Sequence, residues 1–118
     1  MPNPFVHVEL QTNDVAKAKE FYGELFDWKL EEVPGDYTMI SVGEGTGGGM
    51  MKNPIPDVPS HWLAYVHVVD AAAATEKAKS LGAKILKGVT EVPDYGWFSV
   101  IMDPTGAALA LWQPKGKV

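Results

Sequence analysis

The chain repeats itself once, and this duplication limits what it can fold into more than any other feature. Asp14 and Asp70 each open a helical pattern, and Leu25 and Leu81 each lie eleven residues further on. In that register His7 matches Leu63, Glu9 matches Tyr65 and Gln11 matches His67. Thr46-Gly47 likewise matches Thr105-Gly106. A period somewhat over 50 residues, present in two copies, is too long and too few for a solenoid. It fits a duplicated α+β unit. The segment between the copies, residues 52–60, holds three prolines, a density no interior helix or central strand tolerates. It reads as an extended linker. One domain is expected, with module 1 at 1–51, the linker at 52–60 and module 2 at 61–118.

Each copy reads as strand, helix, then three strands. Phe5 to Gln11 alternates apolar and polar residues, as a strand does with one face on a core. Asn13 or Asp14 can accept from free amides and start a helix, in which Val15, Ala18, Phe21, Tyr22 and Leu25 fall on one stripe. Trp28–Val33 and Tyr37–Val42 are strands around the Pro34-Gly35-Asp36 turn. The glycine-rich stretch 43–49 leads to a short strand at Met50 and Met51. It lacks the Gly-Lys-Ser/Thr ending of a phosphate loop and reads as a mobile loop or a bulge. In the second copy His61–Val69 is a strand. A helix follows Asp70 with Ala71, Ala74, Ala78 and Leu81 on its stripe, and Gly82 stops it. Lys84–Val92, Gly96–Met102 and Ala107–Gln113 are the closing strands. A ferredoxin-like domain is the rival fold, and it has difficulty with three successive strands after each helix.

Composition excludes several function classes. Fifteen acidic residues against ten basic ones leave a net charge of −5, unsuited to a polyanion-binding surface, so no nucleic-acid partner is expected. All ten basic residues are lysines, so the bidentate guanidinium grip on carboxylates and phosphates is absent. Without cysteine there is no thiolate nucleophile, disulfide or Cys-based zinc site. No run approaches a signal sequence or a membrane span, and a cytoplasmic protein with no membrane contact is the expectation.

Three stretches, TNDVAKAKEFYGELFDWKL, LGAKIL and DPTGAALALWQP, resemble motifs of the vicinal oxygen chelate superfamily, also called the glyoxalase/bleomycin-resistance/dioxygenase superfamily. Asp27 stands where that family usually has glycine. The resemblance covers essentially the whole chain and is nearest the predicted enzymes related to lactoylglutathione lyase. It implies two tandem βαβββ modules forming a curled eight-stranded mixed sheet, helices outside and a cup inside. Open strand edges in such a sheet favour a homodimer. Strand alternation then aims His7, Glu9 and Gln11 from one strand, and Leu63, Tyr65 and His67 from another, into the cup, with Ala110 and Trp112 on the last. Trp97 faces either way.

Metal-dependent relatives take one ligand from each of four strands. Here the corresponding positions are His7, Met50 or Met51, Leu63 and Ala110. Only His7 suits a hard divalent ion, so the family's metal site reads as largely lost and no cofactor is expected. The alternative metal set is His7, Glu9 and His67, two imidazoles and a carboxylate. Two functions compete. One is a lyase or isomerase acting on a small carbonyl compound, with His7, Glu9 and His67 as its acid–base set. Gln11, Leu63, Tyr65, Trp97, Ala110 and Trp112 would bind its substrate. The other is a metal-free, bleomycin-resistance-type module that sequesters a flat ligand among Tyr65, Trp112 and their neighbours. Glyoxalase I activity itself is doubtful, because glutathione recognition in relatives leans on arginine. Against both stands a plainer view of the same residues, with the histidines lining a wet cavity, Glu9 held by a lysine or an amide, and the aromatics filling the core.

Overall fold

A computed structural model describes residues 3–55 and 57–116. Its elements run β1 (Phe5–Thr12), α1 (Val15–Leu25), β2 (Lys29–Val33), β3 (Tyr37–Ser41), β4 (Gly48–Lys52), β5 (His61–His67), α2 (Ala71–Ser80), β6 (Lys84–Val92), β7 (Gly96–Met102) and β8 (Ala108–Pro114). This is βαβββ twice, and the three strands after each helix exclude the ferredoxin-like alternative. Hydrogen bonds order the strands β2-β3-β4-β1-β5-β8-β7-β6 in a mixed sheet. The chain divides into two compact units, residues 7–63 and residues 64–118 with 1–6.

In the first unit β1 pairs parallel to β4, and β3 pairs antiparallel to both β4 and β2. The Asp14 carboxylate accepts from the Lys17 amide at 3.0 Å and so caps α1, which selects Asp14 over Asn13 as the start signal. The core beneath α1 holds Leu10, Ile40 and Met50, with Val15, Ala18, Tyr22, Trp28 and Leu30 packed against it. Met50 has no exposed surface, and burying a side chain of that size contributes about 1.5–3 kcal/mol. Phe21 and Leu25 depart from the expected stripe and are exposed. They stand one turn apart on a ridge beside the one that meets the sheet.

Among the described residues of the 52–60 segment the chain is not extended throughout, since Asp57 takes a φ of 69°. Asn53 is buried and folds the segment around itself. Its amide nitrogen donates to the Val58 carbonyl at 2.8 Å, its carbonyl accepts from Ile55 N at 3.3 Å, and its backbone N–H reaches Thr12 O at 2.9 Å. Prolines forbid ladder pairing but not a loop tied by one side chain.

In the second unit β5 pairs parallel to β8, and β7 pairs antiparallel to β8 and β6. Asp70 caps α2 through the Ala73 amide at 3.0 Å. Gly82, at φ 102°, ends it in the left-handed conformation that glycine adopts without steric cost. Val68, Ala71, Ile101 and Leu111 form the core, joined by Ala74, Ala78, Ile85 and Leu109. Leu81 lies outside it and is exposed. Thr75 crosses this apolar layer by donating to the Ala71 carbonyl at 2.6 Å and meeting the Ser99 hydroxyl at 2.8 Å, so neither buried hydroxyl is left unpaired.

Candidate functional site

Strand parity decides which side chains leave the helix side of each half-sheet. In the first unit Leu10 joins the core under α1, so His7, Glu9 and Gln11, one residue out of phase, occupy the opposite face. Register carries the same alternation to the neighbours. Thr38 and Ile40 oppose Met50 and Gly48, while Met39 opposes Gly49. Tyr37, Met39, Gly49 and Met51 therefore share the face of His7 and Glu9.

On that face the polar side chains form one connected chain. Gln11 Nε2 donates to Glu9 Oε2 at 2.7 Å. The Tyr37 hydroxyl donates to Glu9 Oε1 at 2.9 Å and lies 2.8 Å from His7 Nε2. Because the phenol proton goes to Glu9, the phenol oxygen accepts from His7, which places the imidazole proton on Nε2. The His7 and Tyr37 rings stack with centroids 6.4 Å apart. Glu9 is only 5% exposed, yet both its oxygens accept from donors, as a buried carboxylate requires. His7 is half-buried. Burial pushes its pKa below the ordinary imidazole value, and the Glu9 carboxylate opposes that shift. The net shift favours the neutral imidazole over the charged one.

Two glycines make this arrangement possible by lacking a side chain. A Cβ on Gly49 would lie 1.9 Å from the Tyr37 hydroxyl oxygen and 2.2 Å from its Cζ, so the phenol crosses β4 through the space an alanine would fill. A Cβ on Gly48 would lie 2.0 Å from the Val8 carbonyl oxygen, where β1 and β4 pair. The glycine stretch is thus divided. Gly43 and Gly45 adopt positive φ in the loop, whereas Gly48 and Gly49 sit inside a strand.

Tyr37 was not among the residues singled out from sequence. Its place as the first residue after the Pro34-Gly35-Asp36 turn fixes its parity with Met39 and Ser41. Its neighbours depend on the β3–β4 pairing, which no local pattern announces.

In the second unit Val66 opposes Leu111 of the α2-side core, so Tyr65 and His67 on β5 take the other face, with Ala110 and Trp112 on β8; Leu63, at the boundary of the first unit, has the same strand parity as Tyr65. Tyr65 is buried and lies 6.3 Å from the Phe98 ring. Phe98 and Trp112 are cross-strand partners. His67 keeps its Nε2 buried without a hydrogen-bond partner among the described residues. Trp97 is corrected: it packs on the α2-side core with the Lys115 ammonium 5.2 Å from its ring centroid. It pairs with Gln113 and stands one residue out of phase with Phe98, so it does not join Tyr65 and Trp112.

The ligand set that metal-dependent members of the resembled family use does not fit this chain. Met50 is sealed in the α1-side core. Strand β4, GGMMK, offers no carboxylate or imidazole, and both Glu9 oxygens are engaged by neutral donors. Among the described residues no three histidine, aspartate or glutamate side chains come together as a metal site. Among the described residues, too, no helix is long and apolar enough to cross a membrane.

The sequence profile of the Glyoxalase/Bleomycin resistance protein/Dioxygenase superfamily matches residues 5–111. The provisionally named glyoxylase CFP32 of Mycobacterium tuberculosis is 35% identical over 79 residues, 67% of this chain and 30% of that protein. The anthracycline biosynthesis protein DnrV of Streptomyces peucetius is 28% identical over 124 aligned positions, 89% of this chain and 45% of that protein. The chain therefore spans less than half the length of these relatives. Among solved structures, methylmalonyl-CoA epimerase from Mycobacterium tuberculosis superposes with a TM-score of 0.70 at 17% identity, covering 95% of this chain and 88% of that one. At that identity the likeness concerns the fold.

Proposed function

For this chain, which belongs to the glyoxalase/bleomycin resistance protein/dioxygenase superfamily, we propose proton transfer on a small carbonyl compound, in the manner of a lyase or isomerase. One observation carries the proposal: the continuous hydrogen-bonded path His7–Tyr37–Glu9. A neutral imidazole, half open, takes a proton from the carbon beside the substrate carbonyl. The C–H electron pair moves into the new C=C bond and the carbonyl oxygen becomes an enolate. The imidazolium then formed is oriented and stabilised by Tyr37, whose own proton is held by Glu9, with Gln11 fixing the far carboxylate oxygen. This is the logic of a base held by a second group that is itself held by a third. Return of the proton to the same or the adjacent carbon completes exchange or isomerisation. An epimerase among the structural neighbours supports chemistry of this type. Its acyl thioester enters here only as a starting point for the choice of test compounds.

The test is α-carbon deuteration in D2O, followed by proton NMR. It uses hemithioacetals of 2-oxoaldehydes and β-keto thioesters as probes. Deuteration above the buffer rate is expected, falling about 100-fold or more in His7→Gln and Glu9→Gln, as loss of a general base or of its orienting group does. Exchange that persists undiminished in His7→Gln, or no exchange with any probe, overturns the proposal.

A second reading draws on the other unit. The buried, unpartnered His67 Nε2, with Tyr65 against Phe98 and Trp112 on the same face, suits retention of a flat ligand that offers one hydrogen-bonding group. Ligand-induced tryptophan fluorescence change, lost in Tyr65→Ala while α-deuteration is absent, supports this reading over the first. The end strands β2 and β6 keep an unpaired edge in that order, which is the basis for a homodimer. Light scattering of the eluting protein measures it.

A further inference from the structure

The first unit holds a cavity on the side of its sheet away from His7, Tyr37 and Glu9. Val8 and Ile40 line it, one residue out of phase with His7 and Met39, so it lies on the α1 side. Ile40 belongs to the α1-side core, and Val42 and Trp28, two further lining residues, pack against that core. The free volume is about 280 Å³, just below the roughly 300–1,000 Å³ of small-molecule sites. It is too little for a helix about 10 Å across. Two indoles form its walls. Trp28 and Trp62 meet with centroids 6.4 Å apart and planes at 80°, and so make a corner. Residues of α1 and its C-cap brace that corner. Tyr22 stacks on Trp28 at 5.7 Å and meets Trp62 edge-on at 5.6 Å, while Phe26 lies 4.7 Å from Trp28. Trp62 is nonetheless 41% exposed. Among the described residues no charged side chain lines the cavity.

We propose that this corner is a binding site for a small, flat, uncharged aromatic molecule, independent of the proton-transfer reading. Aromatic rings attract one another edge-to-face or offset-stacked, at centroid separations of roughly 4.5–7 Å. Two walls near a right angle serve both modes together, since a ring parallel to one indole meets the other at its edge. The contacts to Tyr22 and Phe26 hold the walls in place beforehand, so little side-chain freedom is lost on binding. Val8, Ile40 and Val42 supply the remaining apolar surface. A charged group carried against this lining would lose water and meet no opposite charge in exchange.

The experiment titrates 2-naphthol into nitrogen-15-labelled protein and reads the indole N–H signals of its four tryptophans. Saturable shifts are expected at Trp28 and Trp62, with Trp97 and Trp112 of the other unit as still references. His7→Gln should leave them unchanged. Decahydro-2-naphthol, the same skeleton without a π-system, should bind roughly 2- to 10-fold more weakly. Trp62→Ala, at an exposed position, should weaken 2-naphthol about tenfold or more. Val42→Phe fills the cavity with a larger side chain and should abolish the shifts, which keeps the test decisive if Trp62→Ala does not fold. Shifts centred on Trp97 and Trp112, shifts that never saturate, equal affinity for the saturated alcohol, or undiminished binding in the folded variants overturn the proposal. So does movement of the Trp28 and Trp62 signals on dilution of the protein alone, which would make the cavity a seat for another copy of the chain.

Discussion

Gly49→Ala is the sharpest perturbation the geometry offers, because one added methyl group strikes the centre of the network without touching any polar atom by design. The new Cβ would fall 1.9 Å from the Tyr37 oxygen and 2.3 Å from Cε2. No rotation of a planar ring relieves contacts at both places, so the side chain must leave. Its departure removes a hydrogen bond to a carboxylate, about 1.5–3 kcal/mol, and a neutral one to His7, about 0.5–1.5 kcal/mol. A loss near 3 kcal/mol is expected, a large share of the ~5–15 kcal/mol that holds a domain together. With a urea slope of about 1–3 kcal/mol per molar for a small protein, the midpoint should fall by roughly 1–3 M. The His7 ring should titrate closer to its ordinary value, because water replaces the phenol. The control is a double-mutant cycle with Tyr37→Ala. In that background Gly49→Ala should cost much less than in the parent protein, since the three atoms nearest the new Cβ all belong to the deleted ring and the pair are in contact. Additive costs, or a Gly49→Ala protein with unchanged His7 titration, refute the claim that Gly49 exists to seat Tyr37.

Three further outcomes follow from the same coordinates. His7 has its folded-state pKa lowered by burial from the ordinary 6.5, so below pH 6.5 the unfolded chain binds a proton that the folded one resists. Stability should therefore fall as pH drops through that value, until the folded pKa is reached; urea unfolding at pH 7.5 and pH 5 should show a smaller difference in His7→Gln than in the parent protein. Thr75→Val leaves the buried Ser99 hydroxyl without its 2.8 Å partner and should cost about 1–3 kcal/mol, part of which the added Ser99→Ala change restores in thermal unfolding. Asn53→Ala deletes the side chain that ties Val58 and Ile55 and should cost about 1–2 kcal/mol, since two part-buried hydrogen bonds are lost at about 0.5–1.5 kcal/mol each; proteolytic cleavage beside Asp57 should accelerate in parallel.

Much of this molecule was legible before any coordinate was known. The duplicated Asp-started helices, the three strands after each and Gly82 as a terminator all depend on interactions within about four residues, which sequence reports directly. Strand parity also carried through: His7, Glu9 and Gln11 leave the helix side, as Tyr65 and His67 do. Trp97 was undecided because its strand is apolar on both faces, so alternation gives no sign. Phe21, Leu25 and Leu81 misled because a helical stripe shows which residues adjoin on the helix, not how wide a strip the sheet covers. The proline segment misled in the other direction, since density of proline excludes ladder pairing but is silent about Asn53 at its start.

What sequence alone determined was local chemistry and periodicity: the repeat, the caps, the absence of arginine and cysteine, and the side of the strand each candidate takes. What tertiary structure decided was partnership. Tyr37 lies 28 residues from Glu9, and the two meet only because β4 separates their strands by the width of a residue without a side chain. A hydrogen bond over that chain distance depends on the pairing of whole strands. The relay at the candidate site therefore became visible only in the fold.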